Sequence, residues 1–219
     1  MINKSNEWMD ISQPLTNEIG HWPGDTPFSY ELSYTKEQTG SVNIGRITTS
    51  LHTGTHVDAP FHFDNYGLKI HELNLHIFIG KARVVDFSNE EVITVQSFKQ
   101  IHFEGEERIL IKTSLKNDPN RFPNEWPKLD PNIASYLKDL GVVLVGIDLP
   151  SVDPLTSKDL PVHHAFHKNN IHILENIMLD HVEEGTYELI ALPLPIVGGD
   201  GSLVRAVIRK YDNTKGDNK

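Results

Sequence analysis

The chain has no cysteine among its 219 residues. Disulfides, thiolate zinc fingers and a cysteine nucleophile are thereby excluded together. Positive charge is also scarce: 20 lysines and arginines face 30 aspartates and glutamates, a net charge of −10. Nucleic acid needs a basic surface to meet its phosphates, so that class of partner is disfavoured. Long apolar runs are missing too. The best of them, Val142 to Leu149, is broken by Gly146 and Asp148, and nothing reads as a membrane span. No apolar signal core follows the single lysine of the first ten residues, which predicts a cytoplasmic location. The phosphate-binding patterns GxGxxG and GxxxxGK are absent, as are the hydrolase signatures GxSxG and HExxH. What remains is a composition of 38% hydrophobic and 23% charged residues, which fits one soluble globular domain. We place that domain at residues 1–212, with a polar tail over 213–219.

Histidine is the outlier. Ten of the twelve fall in two windows, 52–76 and 163–181, which suggests two halves of one site. The first half reads His52-Thr-Gly54-Thr-His56-Val-Asp58-Ala-Pro60-Phe-His62, with every potential ligand on an even number. Side chains at i, i+2 and i+4 of a strand share one face. An extended run therefore puts His52, His56, Asp58 and His62 on one side, with Gly54 leaving room for an ion. A helix fails this test, because Asp58 would lie about 200° round from His56. Three imidazoles and a carboxylate form a nitrogen and oxygen donor set suited to Zn²⁺ or Mn²⁺.

The second half lies in Leu160-Pro-Val-His163-His164-Ala-Phe-His167-Lys168, where a short helix puts His163 and His167 on one face. Glu175 follows in the apolar stretch from Ile171 to Ile177. A carboxylate in such surroundings is paired or metal-bound when it is buried, so Glu175 is a candidate ligand. His164, His167 and His172 are weaker candidates, suited to packing or to supporting a ligand. Asp148, Asp153 and Asp200 lie in predicted loops, where turn chemistry accounts for them. His52, His56, Asp58, His163 and Glu175 suffice for two ions, with Asp58 able to bridge. Paired metals favour hydrolysis of a carbonyl substrate.

Short apolar segments alternate with turn residues, without internal repeats. Strands are predicted at 10–15, 26–34, 42–51, 82–87, 108–113, 142–149, 171–177, 187–193 and 203–210. Helices are predicted at 92–102, 131–140 and 160–168, the second capped by Asp130 and Pro131 and ended by Gly141. More strand than helix predicts an α/β fold with a mixed sheet.

With these residues in hand, the chain resembles the cyclase-like metal-dependent hydrolases, whose HxGTHxDxPxH signature the segment from His52 to His62 matches. The likeness extends to Trp8-Met-Asp-Ile-Ser-Gln-Pro14, Trp22-Pro-Gly-Asp-Thr-Pro-Phe28, Pro150-Ser-Val-Asp-Pro-Leu155, Leu174-Glu-Asn176 and Glu188-Leu-Ile-Ala-Leu-Pro193, blocks similar to the family's formamidase branch. The resemblance implies a swivelling β/β/α domain, a homodimer and two zinc ions per chain. It places His52, His56 and Asp58 on one metal and Asp58, His163 and Glu175 on the other. His62 becomes the acid/base residue and Trp22 a wall of the substrate pocket. The implied reaction is hydrolysis of N-formyl-L-kynurenine to L-kynurenine and formate in tryptophan catabolism. Its rivals are a different amide or cyclic amide of the isatin type, and a non-catalytic metal-binding protein.

Overall fold

The computed structural model describes residues 7–212; the polar tail over 213–219 lies outside them. Thirteen strands form among the described residues. The first seven are β1 (Met9–Asp10), β2 (Ser29–Tyr34), β3 (Ile44–Thr48), β4 (His56–Asp58), β5 (Ile79–Asp86), β6 (Val92–Ile93) and β7 (Arg108–Lys112). The rest are β8 (Lys128–Leu129), β9 (Leu144–Ile147), β10 (His172–Glu175), β11 (Gly185–Ile190), β12 (Gly201–Leu203) and β13 (Val207–Lys210). Helices are short: α1 (Lys36–Thr39), α2 (Val95–Phe98), α3 (Ile133–Asp139) and α4 (Pro161–Lys168). Among the described residues, no helix is long and apolar enough to cross a membrane.

Nine strands make one sheet in the order β1-β13-β11-β5-β7-β9-β10-β4-β12. Its centre, β5 to β10, is parallel, and both flanks are antiparallel. This is the mixed α/β architecture that the residue pattern predicts.

Alternation along the central strands splits the core in two. Val84, Leu110, Leu144 and Leu174 point to one side, into a cluster with Val57, Leu189 and Ile208. Val85, Ile109, Ile111, Val145, Ile147 and Ile173 point to the other, where Phe98, Ile133, Leu137 and Phe166 of the helices cover them. The first cluster is enclosed by the sheet itself, which curls round it. Connectivity requires the curl. β12 lies at one edge of the strand order and β13 near the other, yet only residues 204–206 separate them, a span of at most ~14 Å. The N-terminal segment seals the seam: the Ile11 N–H donates to Ala206, and the Ile11 carbonyl accepts from Met178.

The strand predicted at 10–15 ends at Asp10, with only an isolated bridge at Ser12 beyond it, and three other predicted elements differ. The segment 92–102 is not one helix. Thr94 caps the single turn of α2, and Ile101 and Phe103 then leave it to pack on the helix-covered core. The predicted strand 203–210 breaks in two, because its halves pair with opposite flanks of the sheet. The predicted helix 131–140 starts at Ile133, since Asp130 Oδ1 accepts from the Asn132 N–H and holds a turn ahead of it. Gly141 ends that helix as expected, at φ +84°.

Candidate metal centre

β4 sits between β10 and β12, with His56 opposite both Glu175 and Leu203. Two donor-bearing strands thus meet in register. The extended run predicted for 52–62 is only three residues long. Gly54 adopts φ +64°, which turns the chain before His56, and Pro60 opens a 3₁₀ turn that carries His62. His52 and His62 therefore reach the site from turns on either side of the strand. The space at Gly54 does not face an ion either: a Cβ there would meet Leu15 at 2.8 Å.

The donor atoms converge nonetheless. Asp58 divides its two oxygens. Oδ1 lies 3.0 Å from His52 Nδ1 and 3.5 Å from His56 Nε2, while Oδ2 lies 3.5 Å from His163 Nε2. Glu175 Oε2 is 3.4 Å from His56 Nε2, and its Oε1 is 3.8 Å from His163 Nε2. Apart from His52 Nδ1 to Asp58, these spacings resemble the edges of a tetrahedron of metal bonds about 2.1 Å long, ~3.4 Å each. His56 Nε2 and Asp58 Oδ2 are buried without a hydrogen-bond partner, which is costly unless something binds there. Three groups of donors lie within 4.8 Å of one another: His52–His56–Asp58 and Asp58–His163–Glu175, which share Asp58, and the more exposed His52–His62–Asp200. The residues present fit a metal pair sharing Asp58.

Each imidazole is held from behind. His56 Nδ1 donates to the Gly54 carbonyl at 2.8 Å, and His163 Nδ1 pairs with Asp153 at 2.7 Å. Such partners fix the tautomer that leaves Nε2 free for a metal. Asp153 does two jobs, since its carboxylate also accepts from the Val162 and His163 N–H groups that open α4. His164 is exposed and packs against Phe63. His167 faces Asp64, and His172 is half-buried, its pKa lowered to about 4 by desolvation and by the neighbouring His167. None of these three joins the donor cluster. Asp148 is buried elsewhere, accepting from the Thr113 N–H, and burial raises its pKa to about 7.

Electrostatics follow from this packing. Burial opposes charge on His56 and His163, but carboxylate partners outweigh it and raise both pKa values to about 10. Asp58 and Glu175 supply this for His56, and Asp153 and Asp58 for His163. The metal-free pocket is therefore a proton trap. Histidines raised from the ordinary value of 6.5 stabilise the fold fully below pH 6.5 and lose that contribution as pH climbs towards 10. The chelated protein should accordingly melt at lower temperature at pH 9.5 than at pH 7. Zinc added at pH 7 should release protons, measurable by calorimetry in buffers of different ionisation enthalpy. An unchanged melting temperature and no proton release would contradict the arrangement.

The donors floor a cleft of 460 Å³ lined by Trp22, Phe122, Leu160, His52, His62 and Ser151, among others. Trp22, Phe122 and Trp126 pack edge to face, with centroids 5.6–6.3 Å apart. Gly20 makes this wall possible. A Cβ there would lie 2.5 Å from the Phe122 nitrogen, so only glycine lets the two loops touch. Phe122 escaped the sequence reading because residues 115–127 carry no periodic signal.

The fold and this site define a class. The chain belongs to the cyclase family: residues 9–154 match its model, described as "Putative cyclase". Its curated relatives include kynurenine formamidase of Bacillus cytotoxicus, 56% identical over 206 residues that cover 94% of this chain and 99% of that protein. Kynurenine formamidase of Bacillus thuringiensis strain Al Hakam is 55% identical over the same shares. Among solved structures, isatin hydrolase A from Labrenzia aggregata superposes with a TM-score of 0.82 at 20% identity, covering 95% of each chain. That likeness concerns the fold alone.

Proposed function

We propose that this chain hydrolyses N-formyl-L-kynurenine to L-kynurenine and formate, a step of tryptophan catabolism, at a site holding two zinc ions. The observation that carries the reading is the near-full-length match to kynurenine formamidases, in a chain whose donor cluster shares one cleft with an aromatic wall. When bound, the zinc pair would lower the pKa of water towards ~7 and polarise the formyl carbonyl.

The chain's own residues supply the rest. Burial lowers the pKa of His62, which leaves it neutral and able to accept a proton from the attacking water. His62 Nδ1 faces Asp200 at 3.5 Å, so Nε2 is the atom left to carry that proton. It then delivers the proton to the departing aniline nitrogen. Trp22 and Phe122 hold the aryl ring by edge or offset contact. Trp22→Ala should raise KM for aryl substrates ~3–10-fold while kcat and metal content hold, because it removes binding surface rather than chemistry. A fall in kcat at constant KM would reassign it.

Zinc-loaded protein given N-formylkynurenine should release formate in step with kynurenine absorbance. Preferential turnover of isatin would favour the cyclic-amide alternative, and no turnover of either would favour the non-catalytic one.

The active species is a homodimer in this reading. β2 and β3 form a two-stranded ribbon whose Tyr30, Leu32, Tyr34, Ile44 and Ile47 are 46–58% exposed. A lone ribbon is marginal in water, and an apolar one calls for cover, which a second copy provides. Sedimentation at twice the chain mass is expected; a monomer at micromolar concentration would refute it.

A further inference from the structure

Asp200 is the carboxylate beside this cluster that neither metal assignment uses. It lies in the turn before β12, and the turn is stitched to the ligand strand. The Asp200 carbonyl accepts from the Ala59 N–H at 2.9 Å, and Gly201 pairs with Asp58. Close approach is built in: a Cβ on Gly201 would lie 2.8 Å from His52 Cε1 and 3.0 Å from the Val57 carbonyl oxygen. From this platform one oxygen, Oδ2, reaches two rings. It is 3.0 Å from His52 Nε2 and 3.5 Å from His62 Nδ1. Those rings overlap, with centroids 3.9 Å apart and planes tilted by 33°.

An ionised carboxylate only accepts hydrogen bonds, and a neutral imidazole carries a single N–H. With a metal on the Asp58 side of His52, where Nδ1 also lies 3.0 Å from a carboxylate, the single N–H of the neutral ring falls to the nitrogen that faces Asp200. We propose that Asp200 is a positioning residue shared by a metal ligand and the proton carrier. On His52 it fixes the Nε2–H tautomer, leaving the Nδ1 lone pair on the Asp58 side for a metal. On His62 it fixes the Nδ1–H tautomer, leaving the Nε2 lone pair open to the cleft. The ligand His52 and the acid/base His62 are thus oriented by one anchor, and loss of that anchor disturbs both. The His62 half rests on the formamidase reading; the His52 half does not.

The experiment compares wild-type protein with Asp200→Ala and Asp200→Asn, each first shown to be folded by its melting transition. Zinc affinity, from competition with a chromophoric chelator, reads the His52 half. It should fall ~10–100-fold in Asp200→Ala, the usual effect of losing a ligand's supporting partner. Asp200→Asn keeps an acceptor oxygen and should retain affinity between the two. Imidazole ¹⁵N shifts of His62 in the zinc-loaded protein read the other half without any turnover. The Nδ1–H form should dominate in the wild type and give way to a mixture in Asp200→Ala. With zinc saturating, kcat should fall ~10–100-fold with KM within about twofold. Unchanged zinc affinity, or a His62 tautomer indifferent to Asp200, overturns the shared anchor. A wild-type enzyme inert towards N-formylkynurenine would sink the formamidase reading instead, and the chelator and ¹⁵N measurements would still decide this one.

Discussion

Replacing Asp58 with asparagine is expected to empty the site of both metals and abolish turnover. The carboxylate is 3% exposed and places its two oxygens towards different histidines, so both metal positions depend on it. Its charge also offsets three imidazoles: burial works against ionisation, but His163, His52 and His56 hold the pKa well below the ordinary 3.8. An amide keeps the shape and loses that charge, and its nitrogen turns a donor towards one of the two positions. Metal analysis of the purified variant should find far less than the two zinc ions per chain expected of the wild type. Activity should fall by at least ~10²–10³-fold, the scale of losing a single oxyanion contact. The fold should persist, since the variant keeps the volume of the buried side chain and one acceptor oxygen. A variant that retains both metals would refute the bridging role.

His62→Ala should show the opposite split. Its side chain is about a third exposed and lies at the cleft, beyond the two donor groups that share Asp58. Zinc content should stay within error of wild type while kcat falls ~10²–10⁴-fold, the usual contribution of one acid/base group. The size of the loss should track the leaving group. Formanilides with electron-withdrawing rings expel a weakly basic amine that needs little protonation, so their penalty should shrink. A penalty that is uniform across the series would mean that proton delivery is not what His62 contributes. Loss of metal from this variant would make His62 a ligand instead.

How much of this was legible in the residues depends on what each signal rests on. His52, His56, Asp58, His163 and Glu175 stood out because metal chemistry needs particular side chains, and few other roles gather so many in so short a span. The geometric argument for them was weaker than the chemical one. Parity assumed a continuous strand, yet Gly54 and Pro60 bend the chain, and only tertiary pairing with β10 and β12 brings the donors together. Asp153 and Asp200 were passed over for a physical reason. Aspartate in a turn has a sufficient local explanation, and nothing local reports that a histidine 10 or 148 residues away borrows its carboxylate. The central strands were readable from their apolar runs. The break between β12 and β13 was not, because apolar content is similar on both sides and the choice of partner strand is a property of the closed sheet.

The ligand strand has one further consequence, for how the protein is made. β4 leaves the ribosome early, but both strands that pair with it come from the last quarter of the chain, and the seam at Ser12 waits for Ala206, 194 residues later. Contacts this distant in sequence form late and slowly. During synthesis, the half-site from His52 to His62 emerges without Glu175, His163 or the platform at Asp200. A nascent chain stopped before residue 163 has His52, His56 and Asp58 but neither His163 nor Glu175 to complete the donor set. A metal held by the full donor set would therefore meet a chain already mostly made, rather than guide its folding from the start.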